Sequence, residues 1–179
     1  MPYNLTLPPY NELRMFEGRG HYAIDKYYKF PFNIFYAKKL KMISDMLGDK
    51  IYYNILDLGC GPGIFAPELK KHCVRYKPVD RIEDVENNWK FDVVVCASYL
   101  EFVDLEDVVF ILSQITKKSL YIASPMDTGL SRLYFKLIGN KDKRNSHKAI
   151  ISQVSKRFKI QEYHTWNNLY FSLKATPLV

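Results

Sequence analysis

Apolar and polar positions along the chain alternate between two periods. From Phe32 to Leu47 the apolar positions Phe32, Phe35, Tyr36, Leu40, Ile43, Met46 and Leu47 recur at helical spacing, and Gly48 supplies a stop. Ile51 to Leu58 is an apolar, β-prone run long enough for one buried strand. It enters a glycine-rich turn, after which Ile64 to His72 reads as a helix with Pro67 in the tolerated first turn. Cys73 to Asp80 reads as a second strand and Phe91 to Ser98 as a buried third. Asp104 then caps a predicted helix from Leu105 to Thr116, with Glu106 and Asp107 in its first turn, Lys117 and Lys118 at its end, and Val108, Ile111, Leu112 and Ile115 inward. Ser119 to Ser124 is a strand closed by Pro125, and Met126 to Ile138 a loop with a short helix. Ser146 to Arg157 is helical, with Ile150, Ile151 and Val154 inward. Phe158 to Trp166 and Leu169 to Thr176 are strands joined at the tight-turn pair Asn167-Asn168.

This order predicts an α/β fold, a mostly parallel sheet with helices on both faces and an antiparallel hairpin at the C-terminal end. Between Asp80 and Phe91 the chain is too short for a helix and a further strand, so the sheet should hold about six strands. Residues 1–50 read as an N-terminal arm with helices, and 51–179 as the core of one compact domain. Within the arm, Met1 to Gly20 carries Pro2, Pro8, Pro9, Gly18 and Gly20 without a period, with a short helix near Asn11 to Phe16. His21 to Tyr36 is dense in aromatics.

The chemistry concentrates in Asn54-Ile55-Leu56-Asp57-Leu58-Gly59-Cys60-Gly61-Pro62-Gly63. Strand, glycine turn and helix start together make a nucleotide-type site, because glycines allow close backbone approach and free N–H groups favour anionic groups. The glycines run G-x-G-x-G with an acid two residues ahead, unlike the G-x-G-x-x-G of dinucleotide folds. The stretch "ILDLGCGPG" resembles motif I of the class I S-adenosylmethionine (SAM) methyltransferases, and the likeness extends from about Tyr52 to the C-terminus.

The resemblance implies a Rossmann-like class I methyltransferase sheet, shortened after the second strand, and SAM as cofactor. It implies that Asp57 organises the ammonium end of SAM, with Gly59, Cys60, Gly61 and Gly63 against its methionine and ribose parts. Asp80, at the end of the second strand, takes the place of the acid on the ribose hydroxyls, a turn aspartate being the alternative; Arg81 follows it. Cys96 and Ala97 end the third strand beside the cofactor, and Tyr22 and Tyr27 are lid candidates, with core packing the alternative. The usual adenine contacts fall in the missing region, where Ile82, Glu83 and Asp84 are the substitutes at hand. "FDVV…LEFV" is similar to the "FDVV…LEHV" of small-molecule members, with Phe102 in place of histidine. The "[DNS]PP[YF]" sequence of members that methylate planar amines is absent at Cys96-Ala97-Ser98-Tyr99. "SPMDTGLSRLYFKLIG" is similar to glycan- and lipid-associated members, in which a histidine follows a basic loop; here it is His147. His147, Glu101, Tyr99 and His21 are thus the candidate bases, and for His147 a surface or capping role is the alternative.

Composition narrows the setting. Three widely spaced cysteines and four histidines show no disulfide framework and no metal-ligand spacing, so no metal is expected. The first residues lack a signal-peptide pattern and no run of 18 apolar residues occurs, so the expectation is a cytoplasmic protein without a transmembrane segment. The net charge of +7 is concentrated: Arg132 to Lys159 holds nine Lys or Arg and one acid. Such a segment beside the acceptor loop suits a small-molecule or lipid-like acceptor with an anionic part, and peripheral membrane contact. An RNA methyltransferase and a non-catalytic SAM-binding subunit are the alternatives.

Overall fold

The computed structural model describes residues 28, 30, 32–86, 88–137 and 145–178. Its sheet has six strands in the order β2-β1-β3-β4-β6-β5. The strands are β1 (Tyr52–Leu58), β2 (Cys73–Val79), β3 (Phe91–Ala97), β4 (Thr116–Pro125), β5 (Phe158–Trp166) and β6 (Tyr170–Pro177). β2, β1, β3 and β4 are parallel neighbours, whereas β6 runs antiparallel to both β4 and β5. The helices are α1 (Phe32–Leu47), α2 (Ala66–Lys70), α3 (Leu105–Ile115), α4 (Gly129–Leu137) and α5 (His147–Ser155). Between β2 and β3 the described residues form only a 3-10 turn, Ile82–Asp84, and β2 is the edge strand among the described residues, as the short spacing predicts.

Period-two alternation sends β1 and β3 residues to two separate cores. Leu56, Leu58, Val94 and Cys96 pack with Val108, Leu112, Ile150 and Val154 of α3 and α5. Ile55, Val93, Val95 and Ala97 face Leu40, Ile43, Leu47, Phe65 and Leu69 on the α1–α2 side. Because both faces of β1 and β3 are covered, these strands read as continuous apolar runs. No described helix is long and apolar enough to cross a membrane.

Several element ends differ from the sequence expectation. The helix expected over Ile64 to His72 is only Ala66–Lys70, because Cys60 to Gly63 and Gly63 to Ala66 close successive tight turns (N···O 2.8 and 3.0 Å) before it starts. The helix expected to reach Thr116 ends at Ile115, and Lys117 and Lys118 belong to β4 instead. Lys118 pairs with Asp92 at 2.9 Å, and it is Lys90 whose ammonium caps a last carbonyl of α3, that of Gln114. Asp104 caps α3 as expected, its Oδ1 accepting from the N–H groups of Glu106 and Asp107. The short helix expected near Asn11 to Phe16 lies outside the described residues.

Candidate functional site

The carboxyl ends of β1, β2, β3 and β4 meet along one edge of the sheet, where open α/β sheets bind their ligands. There β1 passes into the glycine turn, in which Gly59, Gly61 and Gly63 have φ of +75°, +49° and +78°. Side chains are strained in that region, so the turn requires glycines for geometry before any ligand is considered. Gly59 is doubly constrained, since a β-carbon there would stand 2.6 to 2.8 Å from atoms of Tyr99. The Gly59 and Cys60 N–H groups donate to the carbonyl of Val79, tying the turn to the end of β2.

Asp57 lies beneath this turn, 1 % exposed. Its Oδ2 accepts a 2.6 Å hydrogen bond from the Tyr76 hydroxyl, and its Oδ1 is buried with no hydrogen-bond partner among the described residues. The register explains the pairing: Tyr76 stands opposite Ile55, so its ring leans along the sheet to the residue two further on. Burial pushes the Asp57 carboxyl up to about 6, partly offset by the Tyr76 hydrogen bond. The same burial, with the neighbouring carboxylate, raises the Tyr76 phenol, so Tyr76 stays a donor. An unpartnered carboxylate oxygen in the interior is costly, and a ligand cation is the partner that would remove the cost.

Asp80 follows β2 and its Oδ1 accepts from the Gly61 N–H at 3.2 Å. Arg81 beside it is exposed. Of the three adenine-side substitutes, Ile82 is buried, whereas Glu83 and Asp84 are exposed. Tyr99 spans the gap left by the missing strand: its ring packs on Gly59 and its hydroxyl accepts from the Ile82 N–H at 2.9 Å. Burial raises its phenol to about 12. Tyr99 thereby holds the turn after β2 against Gly59. The Cys96 and Ala97 side chains point into the two cores on opposite faces, so only their backbone borders the edge. Burial raises the Cys96 thiol.

Ser98 ends β3 with φ +57°, an uncommon conformation for a serine, and donates its N–H to the Ala123 carbonyl at 2.8 Å. Its hydroxyl accepts from the Lys39 ammonium at 2.6 Å. Lys39 is 2 % exposed and stands over the rings of Tyr36 and Tyr170, 4.0 and 5.2 Å from their centroids. Neither Lys39 nor Tyr76 was among the sequence candidates. For Lys39 the signal is present, since it falls between Tyr36 and Ile43 on the apolar stripe of α1. For Tyr76 no local signal exists, as its meaning comes from the register with β1.

Glu101, 2 % exposed, accepts from the Ser124 hydroxyl at 2.8 Å, and its carbonyl accepts from the Asn145 N–H at 2.8 Å. The Asn145 amide also donates to the carbonyls of Leu100 and Val103. His147, the first residue of α5, accepts at Nδ1 from the Asp127 N–H at 3.0 Å, which leaves Nε2 as its proton-carrying nitrogen in the neutral ring. Both candidates thus fasten the loops after β3 and β4, the capping role that stood as the alternative for His147. Thr128 completes this frame: its Oγ1 accepts from the Ser131 N–H and donates to the Asn168 carbonyl of the hairpin turn.

The basic segment is divided. Arg132 lies at the carboxyl edge, bridged to Asp127 at 2.7 Å, while Lys156, Arg157 and Lys159 lie where β5 begins, at the opposite end of the sheet. Those three residues therefore stand apart from the loop after β4. Lys141, Lys143 and Arg144, and the lid and base candidates Tyr22, Tyr27 and His21, lie outside the described residues.

No protein-family model and no curated protein sequence matches the chain. Solved structures do. The N-methyltransferase NodS from Bradyrhizobium japonicum WM9, in complex with S-adenosyl-L-homocysteine (SAH), is similar with a TM-score of 0.65 at 15% identity, covering 94% of this chain and 97% of NodS. Magnesium protoporphyrin IX methyltransferase (ChlM) from Synechocystis PCC 6803, with bound SAH, is similar with a TM-score of 0.59 at 14% identity, covering 94% and 93%. Geranyl diphosphate methyltransferase, in complex with GPP and sinefungin, follows with a TM-score of 0.55 at 13% identity and 79% of each chain. The chain has the class I SAM-dependent methyltransferase fold.

Proposed function

We propose that the protein binds SAM at the carboxyl edge of the sheet and transfers its methyl group to a small-molecule, lipid-like or glycan-like acceptor. The observation that carries this reading is the buried, unpartnered Oδ1 of Asp57 under a turn of three positive-φ glycines. The residues present fit SAM. Asp57, steadied by Tyr76, would take the ammonium group; the turn from Gly59 to Gly63 would let backbone approach the ligand; Asp80 would accept from the ribose diol. Ile82 and Tyr99 would form the adenine wall in place of the missing strand. Arg81, Cys96 and Ala97 would contribute backbone, and Tyr22 a lid. Bound there, SAM supplies a methyl carbon already activated on a sulfonium.

The protein's part is then chiefly alignment. Ser98 and Lys39 offer a fixed hydroxyl and ammonium beside the glycine turn, suited to orienting an acceptor. A base is required only when the acceptor must lose a proton; the Glu101 carboxylate would take it, and His147 would do so only in the other tautomer, once its Nδ1 releases the Asp127 N–H. The acceptor class is supported by the exposed Leu130 and Leu133 on α4, flanking Arg132, which suit a greasy molecule with an anionic head and peripheral contact with a membrane. It is supported also by the resemblance in fold to methyltransferases named for a porphyrin and for geranyl diphosphate. Three free cysteines suit a cytoplasmic setting.

Incubating the protein with methyl-labelled SAM and separate metabolite, lipid and RNA extracts tests this reading. Label in the metabolite or lipid fraction is expected. Label in RNA would favour an RNA methyltransferase, and SAM binding with no transfer to any fraction would favour a non-catalytic subunit.

A further inference from the structure

The short connection from β2 to β3 has a second consequence at the other end of the sheet. It leaves a cavity of about 560 Å³ beside the edge strand, lined by Asn54, Arg75, Tyr76, Lys77, Trp89, Lys90 and Phe91. That volume is in the range of small-ligand sites. In the parallel register Arg75 is the neighbour of Asn54 and Lys77 of Leu56, five and three residues before Gly59, so the cavity lies about 10–16 Å along the strand from the glycine turn. Tyr76 belongs both to its lining and to the Asp57 pair, so the cavity adjoins the SAM site along β2 but does not include the glycine turn.

Its chemistry is one-sided. The lining contains three cations and no acid. Lys90 is engaged with the Gln114 carbonyl. Arg75 and Lys77 are exposed, and no described carboxylate lies within ion-pair distance of either. Each is instead held against a ring: the Arg75 guanidinium 5.0 Å from the Tyr53 centroid, and the Lys77 ammonium 4.6 Å from that of Trp89. The Arg75 guanidinium, a planar fork able to grip phosphate bidentately, is thus held against a ring and not against a described carboxylate. The floor is stiff, because the Asn54 side chain both donates to the Lys90 carbonyl (2.9 Å) and accepts from the Asp92 N–H (2.7 Å). Trp89 is braced edge-on against Phe91 at 6.0 Å.

Lysine and proline on an edge strand also serve to prevent strand addition, and Lys77-Pro78 would do that here. That role requires neither a cavity nor a braced indole. We infer that this edge groove binds nucleotide units, their phosphates on Arg75 and Lys77 and their rings against Trp89. Flat aromatics interleaved with cations are the means by which single strands are held without sequence preference. The inference does not depend on methyl transfer.

The test uses uridine ligands, which are poor mimics of the adenosyl group and so avoid the glycine turn. Uridine 5′-monophosphate and a labelled ten-residue oligouridine are titrated against the protein and against the Arg75→Gln/Lys77→Gln double variant, with and without saturating SAH. Binding of oligouridine that falls with added salt, and weakens by about tenfold or more in the double variant, is expected, with SAH affinity unchanged. Trp89→Phe, which keeps a ring against Phe91, should retain most of the binding, and Trp89→Leu should lose it. If oligouridine binds far more tightly than the monophosphate, the ligand is a single strand; if the two bind equally, it is a free nucleotide. If neither binds the parent protein, or the double variant binds as the parent does, the inference is overturned and the cations only protect the edge.

Discussion

At the scale of single residues, Asp57 offers the sharpest handle because its two oxygens have different fates. Oδ2 is held by Tyr76 and Oδ1 has no partner among the described residues. Its folded carboxyl titrates near 6, above the ordinary value of 3.8. A raised pKa means the folded state holds the proton more tightly than the unfolded chain, so the contribution to stability is fully present below about 3.8 and is lost as the pH rises through about 6. Ligand binding has the opposite sense, since an ammonium group requires the carboxylate: SAH affinity should fall as the pH is lowered through about 6. Titrations between pH 5 and 8 check this. Tyr76→Phe removes a hydrogen bond that lowers the Asp57 pKa, so the midpoint should move upward and affinity at pH 7 should drop about tenfold. Asp80→Ala should cost roughly 1.5–3 kcal/mol of binding, about tenfold to a hundredfold, whereas Glu83→Ala and Asp84→Ala should bind as the parent does.

Among the elements, those with complete local signals were legible. α1 runs from Phe32 to Leu47 as its spacing predicts, with Gly48 at φ +60° closing it. The hairpin turns at Asn167 and Asn168, with φ of 48° and 53°, the left-handed pair that a two-residue turn requires. Replacing Asn168 with valine should therefore destabilise the protein by about 1–2 kcal/mol, read as a lowered denaturation midpoint, because a β-branched residue tolerates that region poorly. α2 was less legible because hydrophobic spacing continues through Ile64 and Phe65, where the backbone is in turns set by the positive-φ Gly63. Lys117 and Lys118 read as a helix end by charge alone, yet Thr116 pairs with Phe91 and takes the chain into β4 at once.

For the molecule as a whole, the site was legible where it is contiguous and obscure where it is assembled. Asp57 and the glycine turn stand within seven residues of sequence, and Asp80 follows from its place after a strand. Tyr76 and Lys39 reach the edge from β2 and α1, so their roles come from strand register and helix packing. The loss of a strand between β2 and β3 was predictable from spacing, but its effects were not: Tyr99 bridges Gly59 to Ile82, and a basic groove opens at the far end of the edge strand. The most direct test of the central claim is calorimetric titration of SAH into the protein and into Asp57→Asn at pH 7. Asparagine keeps the shape and can still accept from Tyr76, and removing a buried charge should leave thermal stability equal or higher. One-site binding to the parent, weakened about tenfold to a hundredfold in the variant, is the predicted result. A parent that shows no binding, or a stable variant that binds SAH as tightly as the parent, would contradict it.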